Sequence, residues 1–408
     1  MTSKNRQAPA HDEAYVWVWL PRATEPVVAG RVYRDGANLS FNYGRSYLER
    51  DDAIPLYLPE LPLEAGAIPP DAGLSIAGCL RDGAPDAWGR RVILNRTFGI
   101  KGKDADIGAL DFQKSPTEYV PRAAQAATLE ELLAAAEKVE KGVPLTPELD
   151  QALFHGSSLG GARPKAMIED GDKKLIAKFS SSTDTYNVVK AEFIAMRLAE
   201  KAGLSVAPVR LEHVAGKDVL LVERFDRMKS EGGWQRKAMV SALTIFGLDE
   251  MMARYASYAD LTETIRHRFT APKDTLRELF RRLVFNIVCG NTDDHARNHA
   301  AFWDGNQLTL TPAYDICPQN RTGNEASQAM LITGESRRST LATCMEAAPN
   351  FQLDERAAAK IVKDTLKAVR SEWQNACEEA DLSEVDQNLF WERIFLNPSI
   401  FEGGYDFR

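Results

Sequence analysis

The strongest constraint on this chain is an apolar helix coupled directly to the polar run that ends it. Leu276, Leu279, Phe280, Leu283, Val284, Ile287 and Val288 recur with the spacing of one helix face. Gly290 suits the left-handed position just past a helix C-terminus. Asn291, Thr292, Asp293, Asp294, His295, Arg297 and Asn298 follow at once, so carboxylate, imidazole and amide groups sit on the end of a rigid element. Ala301, Phe302 and Trp303, a turn at Asp304, Gly305 and Asn306, then Leu308, Thr309 and Leu310 read as a hairpin. A hairpin folds back on itself, so Asp315 is expected to return beside Asn298.

That spacing has a chemical meaning. Phosphoryl transfer to a hydroxyl needs a carboxylate to take or orient the proton, and oxygen ligands for the Mg²⁺ that bridges the phosphates. Protein kinases use Asp-x-x-x-x-Asn followed by a second aspartate after a short hairpin. Asp293, Asn298 and Asp315 reproduce the offsets. An Asx-rich surface loop bonding its own backbone would look the same, and the loop alone does not decide.

The rest of the composition narrows the class. With 408 residues the chain has room for two or three domains, and 44% hydrophobic with 26% charged residues is ordinary for a soluble globular protein. A formal net charge of −8 argues against gripping nucleic acid directly. No apolar run approaches a membrane span, and the start of the chain lacks the apolar core of a signal peptide. The 5 cysteines are scattered, with no CxxC, and the 6 histidines make no HExxH spacing. A cytoplasmic protein with reduced thiols and no membrane contact is expected.

Upstream, residues 155–165 are rich in glycine and serine and run into two strands, 166–168 and 175–179, joined by a turn. Glycines such as Gly160 and Gly161 let backbone N–H groups approach phosphate oxygens, though adjacent glycines also make ordinary loops. In the second strand Leu175, Ala177 and Phe179 share one face, while Ile176 and Lys178 point the other way. Lys178 is either a solvated edge position or a phosphate-binding ammonium. Glu192, on a helix expected over 187–202, either pairs with it or faces water. Strand-like segments at 208–212 and 219–223 lead to Glu223 and Phe225, after which Gly232 and Gly233 break the chain. This is either a hinge that takes up an adenine, with Phe225 stacking on it, or a strand end. Three strands are expected near 15–20, 30–33 and 39–43, a helix from Asp86, and another over 129–141. From Trp234 onward a mainly helical pattern is expected, with Asp354 capping a long helix.

Taken together, residues 158–165, 176–179, 223–227, 291–298 and 312–316 resemble the HipA family, serine/threonine kinases that act as toxins of bacterial type II toxin–antitoxin modules. The N-terminal strands and residues 83–90 are similar to that family's first subdomain. The resemblance implies an α+β, two-lobed protein-kinase-like fold with an extra N-terminal α+β subdomain over 1–145. It implies a small lobe over 146–232 and a mainly helical C-terminal lobe over 233–408. It implies ATP and Mg²⁺ as cofactors. Asp293 would be the catalytic base and His295 would touch the transferring phosphate. Asn298 and Asp315 would hold Mg²⁺, Lys178 the nucleotide phosphates, and Glu223 and Phe225 the adenine pocket, with Gly160 and Gly161 in the glycine-rich loop. Ser158, or adjacent Ser157, would be autophosphorylated, adding charge that ATP phosphates would repel.

The resemblance further implies a HipB-like helix-turn-helix antitoxin that makes the DNA contact, and a protein substrate in translation, with an aminoacyl-tRNA synthetase as the candidate. Ile316 and Cys317 follow the second aspartate, so the protein-kinase Phe switch is absent. Asp294 is expected to face solvent, with a spare metal ligand as the alternative. Two other functions stand beside the kinase: a catalytically silent co-repressor of the same fold, and a metal-dependent hydrolase or nuclease built on Asp293, Asp294, His295 and His299.

Overall fold

The structure, a computed structural model, describes residues 13–83, 108–121, 127–146, 163–320, 323 and 325–407. Ser157, Ser158, Gly160 and Gly161 lie outside the described residues, as does the helix expected from Asp86.

Four antiparallel strands, β1 (Glu13–Val18), β2 (Val27–Asp35), β3 (Asn38–Tyr43) and β4 (Leu110–Gln113), form an N-terminal sheet in the order β3-β2-β1-β4. A second antiparallel sheet has the order β5-β6-β8-β7, from β5 (Lys165–Asp170), β6 (Lys173–Phe179), β7 (Val209–Val214) and β8 (Lys217–Glu223). Strict alternation along β6 gives this sheet two different faces. Leu175, Ala177 and Phe179 are buried under the Leu129–Glu140 helix, which contributes Leu132, Leu133 and Ala136. Thr128 and Glu131 close a capping box at its start. Ile176 and Lys178 take the opposite face, where the Val188–Lys201 helix packs.

The chain departs from the sequence expectation after Phe225. Instead of a break at the paired glycines, β9 (Arg227–Ser230) and β10 (Gly233–Arg236) form a hairpin, and Gly233 adopts φ +132° in its turn. Trp234 stabilises it, with the Lys229 and Lys174 ammonium groups 4.9 and 4.8 Å from its ring centre. Lys229 is the cross-strand neighbour on β9, but Lys174 comes from β6 in a different sheet, so local pattern could not reveal it. A third sheet, β11-β12-β13, unites β11 (Met239–Ser241), β12 (Ala300–Trp303) and β13 (Leu308–Leu310).

The Pro272–Cys289 helix is the centre of the C-terminal part. The sequence marks one apolar face, but Phe285, Arg282 and Asn286 are buried as well. Helices Tyr258–Arg268, Leu341–Ala347 and Glu355–Glu379 surround it, so a single stripe would not suffice. The buried Arg282 bonds Glu278 through Nε (3.1 Å) and the carbonyl of Thr311 through Nη2 (2.7 Å), which fastens the helix to the end of β13. Asp354 caps the Glu355–Glu379 helix, whose Ile361, Val362, Leu366, Val369 and Trp373 are buried as expected. The N-terminal sheet region docks on this part through Asp82, which accepts hydrogen bonds from the Ser241 N–H (2.7 Å) and hydroxyl (2.9 Å). Among the described residues no helix is long and apolar enough to cross a membrane.

Candidate active site

The loop after the central helix is held by its own backbone. Gly290 ends the helix at φ +74°, where an added Cβ would lie 2.6 Å from the carbonyl oxygen of Ile394. Asn291 folds back on Asn286 through its N–H (2.9 Å) and its side-chain amide (3.1 Å). Thr292 accepts a bond from the Ala329 N–H at 3.1 Å. The His295 N–H donates to the Asp293 carbonyl (2.9 Å), and the Asn298 amide nitrogen donates to the same oxygen (3.1 Å). Asp293, His295 and Asn298 therefore lie on one tight turn.

Asp294 differs from the expectation. Its carboxylate is fully buried, bonded to the Tyr258 hydroxyl and to His299 Nε2 at 2.9 Å. Burial pushes this carboxyl up, but His299 and the Tyr258 hydroxyl outweigh it and hold it below the usual range. Asp294 thus anchors the loop from beneath and is neither a solvated group nor a ligand on the Asp293 side. The four-residue cluster of the hydrolase reading is split: Asp294 and His299 turn inward to Tyr258, while Asp293 is exposed.

The hairpin does return Asp315 to this loop. The Tyr314 hydroxyl donates to the Arg297 carbonyl at 2.6 Å, and Asp315 itself takes φ +58°, a strained left-handed conformation for a residue with a side chain. Ala313 is locked by bonds from its N–H to Ser205 (2.7 Å) and from the Ala207 N–H to its carbonyl (2.9 Å). Lys178, on β6, donates to Glu192 Oε1 at 2.5 Å and also to Asp315 Oδ1. The alternation that turned Lys178 away from the Leu175 face thus delivers it to Asp315, and Glu192 is its buried partner.

The charges are tightly interdependent. Burial pushes the Asp315 carboxyl up, yet the Lys178 ammonium overrides this and, with Lys165 and His295 adding, brings it down to about 2. Burial raises Glu192 despite Lys178 beside it, and the Asp315 charge raises it further. Burial would lower Lys178, but the two carboxylates hold it well above the usual lysine range. The Asp293 carboxyl is raised by desolvation on its protein side, drawn back by His295, and raised again by the charges of Asp315 and Asp294.

Lys165 was missed at the sequence level. It stands directly opposite Lys178 in the β5–β6 register and is buried. Its position at the end of the glycine-rich stretch was visible, but only the register places a second cation against Asp315. Glu223, at the end of β8, pairs with Lys173 at 2.6 Å. Phe225 packs against Phe302 (5.8 Å, edge-on) and Tyr314 (5.6 Å, tilted), one residue from Asp315. The structure therefore brings Lys178, Glu192 and Asp315 into one bonded set, with Phe225 packed on Tyr314 beside it, and Asp293, His295 and Asn298 onto one turn, with the Arg297–Tyr314 bond joining the two.

The donors suit a magnesium nucleotide. Asp315 is ionised and partly exposed, and Asn298 uses its amide nitrogen on Asp293, leaving the amide oxygen as its ligating group. Both are hard oxygen donors of the kind Mg²⁺ selects. His295 Nδ1 is buried without a hydrogen-bond partner among the described residues, so it has bonding capacity left for a phosphate oxygen.

Comparison with known proteins bears on the family and the fold. The sequence profile described as HipA-like C-terminal domain matches residues 157–373. Putative kinase Y4mE of Sinorhizobium fredii is 29% identical over 181 residues, 39% of this chain and 41% of that protein. The serine/threonine-protein kinase toxin HipA of Shewanella oneidensis is 25% identical over 183 residues, 39% of this chain and 42% of that one. The chain thus spans less than half the length of either relative in these matches. A solved complex of HipA, HipB and operator DNA from Shewanella oneidensis MR-1 contains a chain of similar fold, with a TM-score of 0.64 at 17% identity, covering 95% of this chain and 99% of that one. With over half of its length matched by that profile, the chain belongs to the family of the HipA-like C-terminal domain.

Proposed function

We propose that the chain is an ATP- and Mg²⁺-dependent serine/threonine protein kinase. The observation that carries this reading is the convergence of Lys178, paired to buried Glu192, on Asp315, beside a loop that presents Asp293, His295 and Asn298. In this reading Lys178 and Lys165 orient the nucleotide phosphates, and Phe225 offers its ring to the base. Bound Mg²⁺, held by Asn298 and Asp315, would neutralise charge on the phosphate oxygens. Asp293 accepts the proton of the substrate hydroxyl as its oxygen bonds to the γ-phosphorus. The bond from that phosphorus to the bridging oxygen breaks, and ADP leaves. Its raised pKa makes Asp293 a better proton acceptor than an ordinary aspartate. His295 Nδ1 donates to the moving phosphoryl group.

The biological setting follows the relatives. One is named as a toxin kinase, and the solved neighbour is titled as a toxin with HipB and operator DNA. A helix-turn-helix antitoxin partner, a substrate in translation such as an aminoacyl-tRNA synthetase, and self-inactivation at Ser158 or Ser157 form the corresponding proposal. Intact mass of the purified chain with and without Mg²⁺ and ATP tests it. A gain of one phosphate, mapped to Ser157 or Ser158 and lost in Asp293→Asn, is expected. Cleavage of nucleic acid without nucleotide would overturn the reading.

A further inference from the structure

The surface turn Glu250–Tyr255 presents Met251, Met252 and Tyr255 to solvent at 82%, 44% and 51% exposure. Three large apolar side chains within five residues form a patch that a monomer ordinarily hides. The turn is not loose: Asp249 caps it through the Met251 N–H at 3.0 Å. It is also fastened to the catalytic loop from two directions. Arg297, between His295 and Asn298, bonds Glu250 at 2.6 Å. Arg337 bonds the carbonyl of Arg254 at 2.7 Å and that of Ala329 at 3.0 Å, and the Ala329 N–H bonds Thr292, next to Asp293. Nothing in the core of this part requires these three side chains, since no residue of the turn is buried.

We infer that Met251, Met252 and Tyr255 form the docking site for the substrate segment that carries the acceptor hydroxyl. This rests on the kinase reading and deepens it. The patch begins at the Glu250–Arg297 pair, four residues along the chain from Asp293, within reach of a segment that sets its serine or threonine at Asp293. The occupant is a partner of definite chemistry: an extended peptide with an apolar side chain close in sequence to the acceptor, flanked by an acidic residue. Methionines are unbranched and polarizable, and they accept apolar side chains of varied shape. The acidic residue is called for by Arg254, whose guanidinium lies 4.9 Å from the Tyr255 ring centre and 3.2 Å from its hydroxyl, exposed at the patch edge. The chain as a whole carries a net −8, so this cation stands out as the local attraction for a carboxylate.

The test is a positional peptide library, each peptide with one central serine or threonine, offered to the full chain with Mg²⁺ and ATP. The wild type should prefer leucine, methionine or phenylalanine over alanine at one position near the acceptor by roughly tenfold in kcat/KM, a ratio within reach of one buried side chain. The triple variant M251S/M252S/Y255S should reduce that ratio to near one. Arg254→Glu should turn a preference for an acidic neighbour into one for a basic neighbour. A wild type without apolar preference, or a preference that survives the triple variant, overturns the inference while leaving the kinase standing. Loss of a chain–chain dimer in the variant with selectivity intact also overturns it, in favour of a second copy as occupant. A wild type that phosphorylates no peptide overturns it as well, and if that chain turns over no ATP the kinase reading falls too.

Discussion

Lys178 and Asp315 are 137 residues apart in the chain and share a charged hydrogen bond, with Glu192 on the same ammonium. One cation therefore serves two carboxylates, one deeply buried and one partly exposed.

Removing that cation should expose the imbalance. Lys178→Met leaves Glu192 without a partner and should destabilise the protein by about 3 to 5 kcal/mol at neutral pH, the usual cost of breaking a buried pair. Glu192 is already raised above its unfolded value, and losing Lys178 raises it further. Its stabilising contribution is then full below the unfolded value and lost as pH rises through the folded one. Urea titrations at pH 5 and pH 8 should show the variant's deficit growing with pH. An equal deficit at both would count against the pairing.

Asp315 titrates in the opposite sense. Its folded value lies at about 2, below the ordinary 3.8, so it stabilises the fold above the unfolded value and that contribution disappears as pH falls through 2. Asp315→Asn should flatten the acid side of the stability profile between pH 4 and 2. Phosphoryl transfer at neutral pH should fall with it, since an amide is a poorer magnesium ligand. Thermal melts across that pH range, with a transfer assay on the same samples, read both effects.

Asp293→Asn should lower phosphoryl transfer about 10³-fold, within the range for a positioned proton acceptor. Nucleotide affinity should change little, because Asp293 is exposed on its turn while Lys178 is bonded to Glu192 and Asp315. Radiolabel transfer and equilibrium ATP binding, measured together, separate the two. A variant that loses both would place Asp293 in nucleotide binding.

The Tyr258–Asp294–His299 set should behave as one structural unit. Asp294→Asn and His299→Ala are each expected to cost about 2 kcal/mol or more, as for a broken buried charged hydrogen bond. The double variant should cost less than the sum, with a coupling above about 1 kcal/mol. Additive losses in a denaturation cycle would contradict the contact.

What could be read from the chain divides along contact range. The helix to Cys289, the left-handed Gly290, the hairpin to Asp315 and the alternation that aims Lys178 are local periodicities, and each appears in the structure. Asp294 was misjudged because its burial depends on Tyr258, 36 residues earlier, and no local pattern marks a carboxylate as interior. Lys165 required the strand register, and the β9–β10 hairpin required Lys174 from another sheet. Glu192 stood undecided between water and Lys178 until the sheet and helix were placed together.

The backbone clasp at Ala313 fixes where Asp315 can stand. Its two bonds to Ser205 and Ala207 make the ligand-bearing end of the hairpin an extension of the chain that links the Val188–Lys201 helix to β7. Tyr314, next to Asp315, bonds the Arg297 carbonyl and so ties the same segment to the turn holding Asp293. Asp315 is thus fixed from both sides, and shifting it would mean breaking the bonds at Ala313, Tyr314 and Lys178 together.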